Sequence, residues 1–480
     1  MKKITYILFL AVMAMGCDKF GDTNVSPIAL SEPTTRGLLT NSMQSFSNLF
    51  LGNSAVSRDA ALYVQHLAEG PYPGASLYNV RNFSFTTWYV DPLFNLQKII
   101  EYNNSGSKFA DQGANGSKNN QVAVARILKA YLFLHMTDKW GNIPYKQALK
   151  GNEAYSPAYD TQQSIYTDLF KELKEANAQI SLTEAPVAGD VMLGGDMAQW
   201  KRFANTTRML MALRLSKIDP ALGKTEYTAA VTDGVITANT QNMSYKFIGS
   251  DPNNYNPWYN NYTVGNRNDY AISKTLTDYM LPKSDPRAPV FGEVLAGNLV
   301  KGLAYGRVVA TNIPSAFSRI GTAFRGAGSS LPIYNFAQVL FSRAEAAKLG
   351  YTAGGDAEAE THYKNAIKAS WEQYGVFDAA KYATYIALTD VAYTSADGHK
   401  KIMTEKWVHG YLNSWEVWND WRRTGFPTLS PAPDAVDPRG IPRRWGYPTT
   451  EAALNKENYT AAVTAMGGSD HNYARMWWDK

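Results

Sequence analysis

The sequence of 480 residues predicts an all-α fold, mainly helices, with a large loop-rich irregular region and few short strands. Three observations carry that prediction. Apolar residues recur at helical spacing in several long segments, whereas strand-like alternation is sparse. One helical hairpin carries a small–large–small spacing suited to close helix contact. Between the helical segments, 240–335 is rich in Asn, Gly, Pro and Tyr, the composition of irregular chain.

The chain opens on Met1-Lys2-Lys3 and an apolar run from Ile4 to Met15 that ends in Ala14-Met15-Gly16-Cys17. That run is too short for a bilayer, which needs ~20 apolar residues, and suits the core of a secretory leader. Cys17 is the sole cysteine, so it forms no intrachain disulfide and has no second thiol with which to hold zinc. Small residues before a cysteine resemble the bacterial lipoprotein signal, in which the thiol takes diacylglycerol and becomes the first mature residue. Residues 1–16 are therefore expected to be a signal peptide. Residues 17–480 are the expected mature domain, lipidated at Cys17. The polar stretch after it, "DKFGDTNVSPIALSEPTTRG", reads as a tether.

In "NNQVAVARILKAYLFLHMTDKW", Val124, Leu128, Tyr131, Leu132 and His135 share one helical face. Ile127 and Leu134 widen it, which predicts a helix buried on most sides. A second helix starts at Asp160 or Thr161 and repeats Ile165, Leu169 and Leu173, with Ile180 near its end. A third presents Trp200, Phe203, Thr207, Leu210 and Leu213 and stops before Pro220. "NFAQVLFSRAEAAKLG" and "DAEAETHYKNAIKASWEQYG" form a hairpin hinged at Gly350 and Gly354-Gly355. Within it Ala359, Tyr363 and Ala366 make the A-x3-Y-x2-A spacing of tetratricopeptide helix pairs, repeated loosely by Ala123, Ile127 and Ala130. No clean 34-residue period exists, so the predicted helical superhelix is degenerate and interrupted. "MSYKFI" and parts of 290–310 are the best strand candidates.

Apolar content of 45% supports a substantial core, and 47 basic against 42 acidic residues leave the charge nearly balanced. No basic run marks nucleic-acid binding. The aromatic content of 13%, with many Asn, Gly and Ser, suits a binder of sugars or other polar ring-shaped ligands, although large cores also use Tyr and Trp. Motifs for chemistry are lacking. The six histidines are scattered, and none begins H-E-x-x-H. Gly223-Lys224-Thr225 lacks the earlier glycine of a phosphate loop, since Ile218 stands there. Neither a nucleophile elbow nor a dinucleotide fingerprint occurs. Paired carboxylates are not tested by spacing, so an all-helical (α/α)-barrel glycoside hydrolase stays open as an alternative.

"ILKAYLFLHMTDKWGNIPYKQALKG" (127–151) resembles the SusD/RagB family of nutrient-binding outer-membrane lipoproteins of Bacteroidetes, and its SusD-like branch in particular. The shared turn is carried by Thr137, Asp138, Trp140, Gly141, Ile143, Pro144, Tyr145 and Ala148. "FGDTNVSP", "YVQHLAEGPY", "GDMAQWKRFANTTRMLMALRL", "SWEVWNDWRRTGFPTL", "RRWGYP" and "RMWWDK" resemble further family segments in the right order. The resemblance implies a scaffold of four tetratricopeptide-like helix pairs and binding without catalysis or cofactor. It also implies a SusC-like TonB-dependent outer-membrane transporter as partner, and a lipid-anchored place at the cell surface. The implied ligand is an oligosaccharide, or a peptide as in some members.

Trp421-Arg422-Arg423 and Arg443-Arg444 read as structural, through buried arginine–carboxylate pairs and arginine–aromatic stacking. Ligand contacts are expected in two loop-like stretches, chosen on composition alone. "SDPNNYNPWYNNYTVGNRNDY" sets Tyr255, Trp258, Tyr259 and Tyr262 among seven asparagines. "GPYPGASLYNVRNFSFTTWY" supplies Tyr72, Tyr78, Asn79, Arg81 and Trp88.

Overall fold

A computed structural model describes residues 32–308 and 312–480. The expected leader and Cys17 lie outside the described residues.

Helices of eight residues or more are numbered here in chain order. They are α1 (Thr35–Phe50), α2 (Ala55–Tyr63), α3 (Phe94–Ser105), α4 (Lys118–Trp140), α5 (Gln162–Gln179), α6 (Met197–Arg214) and α7 (Pro220–Asp233). After the irregular region come α8 (Phe336–Lys348), α9 (Gly355–Gln373), α10 (Ala379–Ile386), α11 (Gly398–His409), α12 (Ser414–Thr424) and α13 (Lys456–Ala465). Helices adjacent in sequence pack side by side: α3 on α4, α4 on α5, α5 on α6, α6 on α7 and α8 on α9. This is the tetratricopeptide-like stacking that the sequence predicts.

Local chemistry accounts for the helix boundaries. Ser117, Thr161, Asp196, Asp219 and Asn335 each accept the backbone N–H three residues on, satisfying a donor that the first helical turn leaves free. Pro220 is the first residue of α7, where its fixed φ and missing N–H cost nothing. The predicted hinge glycines Gly350 and Gly355 adopt φ of 75° and 54°. Ala359, Tyr363 and Ala366 are buried against Ala337, Phe341 and Ala344 of α8, so the small residues do set the helix spacing. Helix α4 is buried along nearly its whole length.

Among the described residues the few strands form three two-stranded antiparallel ladders. β1 (Leu67–Glu69) pairs with β5 (Tyr270–Ile272), β2 (Ile143–Pro144) with β3 (Tyr159–Asp160), and β4 (Met243–Tyr245) with β6 (Leu331–Tyr334). The "MSYKFI" prediction thus shortens to β4. The described residues of the 290–310 stretch form only single bridges, such as Gly292 with Ile320.

The recognisable motifs are scaffold. Asp138, wholly buried, accepts from the Tyr166 hydroxyl at 2.6 Å and the Trp478 indole at 2.9 Å, and faces Arg214 at 3.0 Å. Thr137 Oγ1 donates to the Gly141 carbonyl at 2.7 Å, and Gly141 takes φ 85°, as its place in the turn requires. Arg422 stacks 3.9 Å from the Trp418 ring centre and donates to the carbonyls of Asp138 and Arg443. Arg423 pairs with Glu345 and Asp420, and Arg443 with Asp479. Arg444 pairs with Asp470. Two buried histidines are likewise held by neighbours: His66 between Ser414 and the Trp407 carbonyl, His409 between Ser370 and Asn335. Burial pushes both imidazoles down to about 3, so they stay neutral.

Candidate functional site

The β1–β5 ladder joins the two aromatic stretches chosen from composition. Glu69 pairs with Tyr270, and just beyond it the Gly70 N–H donates to the Asp269 carbonyl at 2.8 Å. Loop 430–440 closes on the same place. The Val436 N–H donates to the Leu77 carbonyl, and the Asp434 N–H to that of Gly306. Asn472 ties in the last loop by donating to the Arg81 carbonyl at 2.9 Å. Segments distant in sequence thus converge on one irregular face.

The two stretches share a device that periodicity does not reveal. In each, a three-residue helical turn runs straight into a π-helical turn, with a Trp-Tyr pair at the junction: Thr86–Trp88, then a π-helical turn Tyr89–Leu93. The other has Pro257–Tyr259, then a π-helical turn Asn260–Val264. The tryptophan anchors the turn. Trp88 packs on Phe50 and Trp140 at 4.5 and 5.6 Å between ring centres, and Trp258 packs on Tyr270 at 5.6 Å. Both indoles are buried, so neither offers a face to a ligand, which corrects their choice from composition. Tyr78 is corrected likewise: it is buried, and its hydroxyl accepts the Ala432 N–H at 2.9 Å. Tyr262 is half-buried under Arg325 and donates to the Tyr270 carbonyl at 2.7 Å, which also makes it packing. Two of the asparagines fasten the loop. Asn256 accepts the Trp258 N–H and donates to the Ser329 carbonyl, and Asn268 donates to that of Ile313.

The remaining candidates reach solvent. Tyr72 is 78% exposed, adopts φ 61°, and has the Arg267 guanidinium 5.6 Å from its ring centre. A left-handed backbone costs a non-glycine residue ~1–2 kcal/mol, so this ring is held out at an energetic cost. Asn79 is exposed beside Gly74. Arg81 lies at the edge, its Nε 3.3 Å from buried Asp59, which Arg58 also faces. Burial raises the Asp59 carboxyl and the two guanidiniums oppose that rise. Tyr255 and Tyr259, both half-buried, meet edge to face at 5.0 Å. Sequence reading missed a second arginine–tyrosine pair, Arg439 at 4.4 Å from the ring centre of Tyr473. The signal was slight: two residues, 34 positions apart, of types that recur throughout the chain.

Glu69 fastens the 70–78 loop from below. Its Oε2 accepts both the N–H and the hydroxyl of Ser76, at 2.9 and 2.7 Å. Burial pushes this carboxyl up to about 6 despite those bonds. Among the described residues no group of three or more His, Cys, Asp and Glu could hold a metal ion. None of their helices is long and apolar enough to cross a membrane.

A helical superhelix bearing an arginine- and tyrosine-lined loop face defines a binding scaffold. The SusD-like family described as "starch-binding associating with outer membrane" matches residues 27–448, and the chain belongs to that family. Among solved structures, a chitin-binding protein is 27% identical, with a TM-score of 0.77, covering 93% of this chain and 100% of its own. A chitin-binding SusD homologue from Flavobacterium johnsoniae is 26% identical, with a TM-score of 0.73, covering 92% of this chain and 98% of its own. A SusD homologue from Bacteroides fragilis, at 22% identity, has a TM-score of 0.76, covers 94% of this chain and 100% of its own, and attests the fold. A search of the curated proteins gives no match.

Proposed function

We propose that this protein captures oligosaccharide at the cell surface and passes it to a SusC-like TonB-dependent outer-membrane transporter, binding its ligand without changing it. Lipid on Cys17 holds it to the outer membrane. The observation that carries the ligand reading is the strained, solvent-exposed Tyr72 under Arg267, on a face where several loops converge. A flat ring covers the apolar face of a sugar, while guanidinium and amide groups bond its hydroxyls. Tyr72, Asn79, Arg81, Tyr255 and Tyr259 are the contacts proposed from sequence that keep an open surface, and Arg267, Arg439 and Tyr473 join them. The two chitin-binding relatives make N-acetylchitooligosaccharides the first ligands to try.

The test is calorimetric titration of the protein lacking residues 1–16 against neutral glycans and peptides. Saccharide binding weakened by Tyr72→Ala is expected. Binding of peptides and no saccharide would overturn the carbohydrate reading, and release of reducing ends would restore the hydrolase alternative. Cys17→Ala protein that still sediments with membranes would overturn the anchor.

A further inference from the structure

Beside α3 and the turn after α4 lies a cleft lined by none of the contacts proposed on the loop face. It has two halves with a common wall of Phe94 and residues 148–151. The first, about 560 Å³, is polar. Lys98, Lys129, Lys146 and Lys150 face Glu101, Glu153, Asp168 and Glu172 there, so the formal charges of the lining cancel. The second, about 530 Å³, is mostly apolar and runs between Tyr89, Val90, Pro144, Tyr155 and Leu454. Each volume lies in the range of small-ligand sites, ~300–1,000 Å³.

The polar half is ordered in advance. Tyr145 donates to Asp168 Oδ2 at 2.7 Å, Lys129 to Gln97 Oε1 at 2.9 Å, and Lys98 to Glu101 Oε2 at 2.8 Å. Each ammonium and carboxylate keeps further donors or lone pairs beyond these bonds. An anion would meet four carboxylates in this lining and a cation four ammoniums. A neutral polyhydroxyl ligand meets no such opposition, since each hydroxyl both donates and accepts.

The apolar half supplies flat surface in the open. Tyr155 is 80% exposed, Leu454 73% and Phe94 43%, a cluster of a kind that marks binding surfaces. The chain between the halves is strained: Leu149 holds φ 64°, where a leucine is rare.

We propose that this cleft is a second binding site, for a neutral oligosaccharide whose ring faces stack on Phe94 and Tyr155 while its hydroxyls bond the polar half. The proposal rests on the glycan-binding reading above. Hydrogen–deuterium exchange of the leaderless protein, with N-acetylchitohexaose and maltohexaose as probes, separates the two sites. With at least one probe, protection is expected both at 70–81 and at 144–155. In the Phe94→Ala/Tyr155→Ala protein the cleft should bind tenfold or more weakly, while 70–81 keeps its protection. Protection confined to 70–81, or a double variant that protects 144–155 as the parent does, would overturn the second site and leave the loop face standing. Protection of neither segment by either sugar would overturn both readings.

Discussion

Arginine and aromatic residues build two regions of this protein to opposite ends. In the scaffold, Arg214, Arg287 and Arg423 are buried, and each is met by two carboxylates. Trp140, Trp415 and Trp418 are buried with them. On the loop face, Arg267 and Arg439 are half exposed and lie over Tyr72 and Tyr473. A buried guanidinium is tolerated only when its pairing offsets the loss of water. An exposed one gains little from its ion pair, roughly 0–1 kcal/mol, and keeps a planar surface for something else. Residue type alone therefore does not separate the scaffold from the proposed contacts here, whereas burial does.

The strongest way to break that contrast is to unpair a scaffold arginine. Arg287 donates to Asp285 at 2.9 and 2.6 Å, to Glu405 at 2.9 Å and to Ser370 at 3.1 Å, with no solvent access. Arg287→Ala leaves Asp285 and Glu405 buried without their cation, at an expected cost of ~3–5 kcal/mol. Denaturant unfolding reads this as a lowered midpoint. Ligand affinity of the fraction that stays folded should be unchanged; a loss of affinity without a loss of stability would move Arg287 to the functional side.

A second test sets the two members of one Trp-Tyr pair against each other. Trp258→Ala should empty a buried site and cost ~3–5 kcal/mol. Tyr259→Ala, on the half-buried neighbour, should cost far less and show its effect in ligand binding instead. Equal losses of stability from the two would erase the distinction between anchor and contact.

The same contrast decides how far the sequence could be read. Helix faces, caps and the A-x3-Y-x2-A packing were legible because 3.6-residue periodicity reports burial directly. Asp138, Gly141 and Trp140 were legible as a turn, and the structure adds the partners that make Asp138 a hub. The aromatic stretches were not legible residue by residue. Trp88 and Trp258 sit in irregular chain without periodicity, so nothing local told an anchor from an exposed ring. The convergence of loops on Tyr72 depends on pairings such as Gly70 with Asp269 and Leu77 with Val436, hundreds of positions apart. Such contacts leave no local pattern.

Glu69 gives a test of intermediate size at the seam between scaffold and loop face. Its folded carboxyl titrates at about 6 against an ordinary 4.5, because burial opposes ionisation. The folded state therefore holds this proton more tightly than the unfolded chain does. The associated stability is fully present below about 4.5 and lost as pH rises through about 6, a change of roughly 2 kcal/mol. Glu69→Gln should flatten that limb when stability is measured from pH 4.5 to 7. An unchanged limb would assign the titration elsewhere.

The smallest change in stability belongs to the residue with the largest expected part in binding. Tyr72→Ala removes an exposed ring and one exposed cation–π contact, so stability should stay within ~0.5 kcal/mol. Saccharide affinity should fall tenfold or more, about 1.4 kcal/mol. Tyr72→Phe keeps the flat face and should keep most of the affinity, whereas loss in both variants would make the hydroxyl the contact. Tyr72→Gly sharpens the point further. Glycine accepts φ 61° without strain, so this variant should be at least as stable as the parent and still fail to bind. A site that gains stability by losing its ligand contact is one where the fold holds a ring in place against its own preference, the reverse of what Trp258 does in the core.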